Sequence, residues 1–235
     1  MKLNNIKIIG DQSNTTIYLA KQIVDIFSEI YPFIVDREIT IIQIPDYECP
    51  FCPSDKSYIL IAASSEYWCQ ISYQLSHELL HFVIPENHSF TIKNQWFEES
   101  LAEMMSFYAM QIIGNNWSDN ELSQLNSDYE SSFFSYLHNT EKDMEVFNLE
   151  NLNNYDSELL KEFQSDPYKR EHLRYLALKM LPIFKKHPVL WQSILHLHRI
   201  SDGLTLSGIL DELSQKFPPA ATALKELNGA ILAKN

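Results

Sequence analysis

Residues 76–81 read SHELLH, and those six letters decide what the rest of the chain is built around. On an α-helix His77 and His81 stand one turn apart, so their rings project in the same direction. Two imidazoles placed in this way reach a single zinc ion at Zn–N distances of about 2.0–2.1 Å. Glu78 is rotated about 100° from His77 around the helix axis, which sets it beside such a metal rather than on it. A carboxylate there can accept a proton from metal-activated water, the physical content of the H-E-x-x-H pattern. The same spacing suits two surface or satisfied core histidines equally well. A third ligand is what separates the cases.

WFEESLAEMMSFY (96–108) supplies one. Glu99 follows His81 by 18 residues, with a connecting loop that permits an antiparallel return. On its own helix Glu99 lies almost opposite Leu101, away from the apolar stripe. Glu103 stands one turn further along the same side, where it is expected to hold the non-ligating nitrogen of His77. Glu98 lies nearer the apolar side and competes with Glu99 if the helix phase shifts by one residue. A His77–His81–Glu99 site leaves a fourth position open for water or substrate, as a catalytic zinc requires.

The surrounding sequence reads as a mixed first half. Helical spacing of Ile17, Ala20, Val24 and Phe27 predicts a helix over 15–31, capped by Asn14 or Thr15 and stopped by Pro32. EITIIQI (38–44) and SYILIAA (57–63) read as strands. A helix over 65–83 carries HELLH, with Trp68, Ile71, Leu75, Leu79 and Phe82 as its apolar stripe. PENHSFTIK (85–93) is a linker, and the glutamate helix is expected over 94–113 with Gly114 ending it. Its stripe is Phe97, Leu101, Met104, Met105, Tyr108 and Ile112. Beyond residue 115 only helices are expected, near 120–137, 156–165, 168–181, 188–199 and 205–217. The fold class is therefore α+β: a core over 1–115 with a small sheet and the HELLH helix, then an all-helical subdomain over 116–235 covering the active-site cleft.

Composition narrows the function. With 235 residues, 45% apolar and 12% aromatic, the chain can bury a real core. A formal charge of −13 opposes nucleic-acid binding and favours neutral or basic partners. No run approaches the ~18 apolar residues of a membrane span, and MKLNNIKIIG is too interrupted for a secretory signal. Three cysteines cannot all pair within one chain, so disulfide-rich secretion is not expected and a cytoplasmic location is.

HELLH followed by WFEESLAE resembles the gluzincin group of zinc metallopeptidases. That group's W-x-x-E-G-x-A-E wording is matched at Trp96, Glu99, Ala102 and Glu103, with Ser100 in place of the glycine. ILIAASSEYWCQISYQLSHELLH (59–81) is further similar to the ImmA/IrrE branch, small intracellular peptidases that cut regulatory proteins. Leu80 stands where that branch has a glycine before its second histidine, and Leu101 or Ala102 where it has a downstream asparagine. The likeness covers about residues 15–113. It implies a zincin-like first half holding Zn2+ through His77, His81 and Glu99, a peptide or protein substrate, and peptide hydrolysis with Glu78 as general base. A second donor, Tyr or His in such enzymes, would stabilise the oxyanion. Among Tyr108, Tyr136, His138, Tyr168, His172, Tyr175, His196 and His198, the favoured residue is His172 in KREHLRY. The rival to the enzyme is a non-catalytic peptide-binding or regulatory protein that keeps the same fold.

Three other features carry less. CPFC (49–52) has redox or metal spacing, and Cys69 is the one further thiol that could join it. The strand SYILIAA offers an edge on which a substrate could lie as an added strand. HLH (196–198) spreads its two rings about 200° apart on a helix, poor for joint ligation.

Overall fold

The computed structural model describes residues 5–10, 13–85 and 92–232. The expected α+β class holds: a small sheet and the HELLH helix come first, and helices follow, in a zincin-like order. Two compact units form, one from Met1–Val83 with Met105–Lys142, the other from Ile84–Met104 with Asp143–Asn235.

In the first unit three parallel strands, β1 (Ile6–Gly10), β2 (Ile39–Gln43) and β3 (Ile59–Ile61), lie in that order. β1 is absent from the sequence reading, because a five-residue run holding Lys7 has no alternation strong enough to announce it. It pairs in register with β2, Ile8 opposite Ile41. Helix α1 (Asn14–Ile30) buries Leu19, Ile23, Val24 and Phe27. Its cap is Ser13, one residue earlier than expected, whose hydroxyl accepts from the Thr16 N–H at 3.3 Å.

β3 is shorter than SYILIAA. The amides of Ala62 and Ala63 leave the ladder and donate to the Gln74 side-chain oxygen at 2.9 and 3.1 Å. The far side of β3 is not a bare edge either. Leu60 exchanges both backbone hydrogen bonds with Phe51, at 2.9 and 3.1 Å, in an antiparallel bridge. A substrate strand along SYILIAA would have to displace that bridge at Leu60.

Helix α2 (Trp68–Val83) buries twelve residues, including Ser72, Ser76, His77 and Glu78, so it is enclosed well beyond one stripe. Helix α3 (Gln95–Asn115) behaves in the same way, with Trp96, Phe97, Leu101, Met104, Phe107 and Met110 all buried, while Tyr108 and Ile112 are only half-buried. Helices buried on nearly every side belong in an interior. The first half of α3 lies in the second unit and its second half in the first. Residues 86–91 of the linker before it lie outside the described residues.

Gly114 does not end α3. The helix runs to Asn115, and both the backbone N–H and the side-chain amide of Asn116 donate to the Ile112 carbonyl. A Cβ at Gly114 would stand 3.1 Å from the outer edge of the Phe134 ring. After single 3₁₀ turns comes α4 (Glu130–Lys142), whereas one helix over 120–137 was expected.

The second unit holds α5 (Glu158–Ser165), α6 (Arg170–Lys186), α7 (Val189–Ser193), α8 (Leu206–Lys216) and α9 (Ala221–Leu232). α6 continues through Pro182 rather than stopping before it. A proline inside a helix costs about 3 kcal/mol, but Phe184 beyond it is buried and holds the last turn in place. The segment expected as one helix over 188–199 is α7 followed by 3₁₀ turns. α8 starts on Thr205, whose hydroxyl accepts from the Gly208 N–H, and packs on α9.

Candidate metal centre

α2 is fixed at three points. Near its middle, Gln74 ties it to the end of β3 through the two amides above. At its C-terminal end the Arg37 guanidinium donates to the Phe82 carbonyl at 3.0 Å and lies 4.0 Å over the Phe82 ring. A cation there also meets the negative end of the helix dipole. One residue before Gln74, the Ser106 hydroxyl of α3 donates to the Tyr73 carbonyl at 3.0 Å, and the Tyr73 and Phe107 rings meet edge to face. Gln74, His77 and His81 follow one another at three- and four-residue steps, so the residue that anchors α2 shares a face with both histidines.

The His77 and His81 ring centroids are 5.1 Å apart. Ligand atoms of His77, His81 and Glu99 all lie within 4.8 Å of one another. His77 and Glu99 are 5% and 8% exposed, and His81 is the least enclosed of the three. Four donors around a zinc at these bond lengths stand about 3.3 Å apart, so small side-chain rotations close the site. Two imidazoles and a carboxylate are a donor set that zinc accepts. The residues present fit the ion. Among the described residues this is the one group of three such side chains so closely gathered.

No family model, no curated protein and no solved structure matches the chain. The metal-binding reading therefore stands on the site itself.

Glu78 is 4% exposed, next to His77 and outside the three-residue cluster. Glu98, the competing ligand, is only half-buried and also outside it. Ser100, where the resembled group has glycine, donates to the Trp96 carbonyl one turn back at 2.8 Å. Glu103 is 1% exposed, and the Arg174 Nε donates to it at 3.2 Å. Arg174 escaped the sequence reading. It sits 71 residues from Glu103, and nothing local marks it. Gln74 escaped too, since its role depends on where β3 ends.

His172 lies on α6 outside the cluster. Its Nε2 is 3.5 Å from a Glu145 carboxylate oxygen, and its ring rests against Phe147 and Phe163, with centroids 5.5 and 5.8 Å away. The three thiols do not assemble. Cys49 is exposed and Cys52 partly so, whereas Cys69 is buried, and burial pushes its thiol up to about 11. His196 stacks on Phe217 at 4.8 Å and His198 accepts from Arg199, so HLH forms no joint site. Lys186 and His187, at the C-terminal end of α6, grip Glu226 of α9. Among the described residues no helix is long and apolar enough to cross a membrane.

Proposed function

We propose that the chain is a zinc-dependent peptidase of the gluzincin type, acting in the cytoplasm on a peptide or protein substrate. The observation that carries the reading is the convergence of His77, His81 and Glu99, with the buried Glu78 next in sequence to a ligand. A purely structural site has no use for that fourth side chain, whose burial without a task would cost stability.

Bound zinc supplies Lewis acidity, lowering the pKa of a water and polarising a peptide carbonyl. His77 and His81 would hold the ion through imidazole nitrogens, and Glu99 would add a carboxylate oxygen. Glu78 takes a proton from the attacking water as its oxygen bonds to the carbonyl carbon. It then delivers that proton to the nitrogen as the C–N bond breaks, so the base is regenerated for the next turn. His172 on α6, the favoured second donor, would stabilise the developing oxyanion.

Two measurements test the reading. Metal analysis of the purified protein should find about one zinc per chain, and a protein unable to take up zinc at micromolar concentration would end it. Glu78→Gln should keep the zinc and lose hydrolysis of a quenched fluorescent peptide library by at least about 100-fold. Undiminished hydrolysis in that variant would remove Glu78 as the base. Zinc uptake with no hydrolysis by the unaltered chain would turn the reading to a peptide-binding protein that keeps the fold.

A further inference from the structure

One face of α3 presents Gln95, Glu99 and Glu103 at successive turns. The entry and first turns of α6 reach both outer members. Gln95 donates to the Tyr168 hydroxyl at 2.9 Å, and Glu103 accepts from Arg174 Nε at 3.2 Å. Glu99, the carboxylate of the candidate metal site, stands between these two attachments.

We propose that Arg174 is a positioning residue of the metal centre, acting through Glu103, an inference that rests on the zinc reading above. Glu99 and Glu103 are both more than nine-tenths buried and one helical turn apart. Ionised carboxylates at that spacing repel one another, and more strongly away from water. Left alone, the pair would splay, and Glu99 would lose the orientation that brings it to His77 and His81. Arg174 neutralises Glu103 and pins one of its oxygens, which leaves Glu99 preorganised for the ion.

The formal charges agree. Glu78, Glu99 and Glu103, at 4%, 8% and 1% exposure, carry three negative charges when ionised. Arg174 supplies one positive charge, and a divalent cation supplies the other two. A monovalent or absent cation leaves buried charge uncompensated, which interiors tolerate poorly.

Zinc affinity, measured on the full chain by competition with a chromophoric chelator at pH 7, tests the idea through its sign. By Coulomb's law alone, removing a nearby cation tightens zinc binding. Loss of positioning weakens it. Arg174→Gln should weaken zinc by about 10- to 100-fold, the usual loss when a group supporting a ligand is removed. Arg174→Lys, which keeps the charge but not the fork, should recover part of that loss. The pair Glu103→Gln with Arg174→Met buries no lone charge, so it stays folded if the single variant does not. With no charge at 103 to repel Glu99, it should bind zinc about as tightly as the unaltered chain. The d–d spectrum of the cobalt-substituted single variant should change with the ligand geometry.

Unchanged or tighter zinc in Arg174→Gln, or clearly weakened zinc in the paired variant, would overturn the proposal while leaving the zinc site standing. An unaltered chain that takes up no zinc would overturn the zinc reading and this inference together.

Discussion

Gln74 gives the sharpest test of how the fold places the site. Its side-chain oxygen accepts two backbone amides where β3 ends, at 2.9 and 3.1 Å. Gln74→Met keeps the length and removes the acceptor. Ala63 is 1% exposed, so its amide would lose its partner without gaining water, whereas Ala62 is open enough to be partly rehydrated. One stranded donor costs about 1–3 kcal/mol and a rehydrated one less. The sum is about 2 kcal/mol. For a chain of this length that lowers the thermal midpoint by about 4–8 °C. Gln74→Glu retains an acceptor oxygen at a half-buried position and should recover most of the loss. Because Gln74 shares a face with His77 and His81, zinc affinity should fall in the Met variant and return in the Glu variant. Differential scanning calorimetry and chelator competition read the two effects. A midpoint within 1 °C of the unaltered protein for Gln74→Met, or equal losses in both variants, would refute the reasoning.

Three further outcomes follow from the same structure. Burial holds the Cys69 thiol up at about 11, above the ~8.5 of an unfolded chain. Its stabilising contribution is therefore complete below the unfolded value and is lost as pH rises through the folded one. Urea midpoints should drop between about pH 9 and 11, less steeply in Cys69→Ala. In the native protein a disulfide reagent should modify exposed Cys49 readily and Cys69 only on unfolding. At Gly114 the space for a Cβ is limited by the outer edge of the Phe134 ring, and that side chain is 37% exposed and free to yield. Gly114→Ala should therefore stabilise by up to about 1 kcal/mol through helix propensity. A fall in its urea midpoint would mean that the ring cannot move.

The sequence by itself determined the local elements whose chemistry is short-range. HELLH fixed two rings on one helical turn, and WFEESLAE fixed two carboxylates on another, because helical geometry alone sets those directions. The β-branched run at 38–44 became β2 for a similar reason. Tertiary structure decided everything that depends on a distant partner. Packing brought Glu99, the carboxylate that the helix phase already favoured over Glu98, to the two histidines. The end of β3, the anchoring of α2 by Gln74 and the attachment of Arg174 to Glu103 are of the same kind. So are the continuation of α3 past Gly114 and of α6 past Pro182, where burial outweighs the stop signal of a single residue. All are set by the burial and hydrogen-bond satisfaction of the whole molecule, which no window of sequence contains.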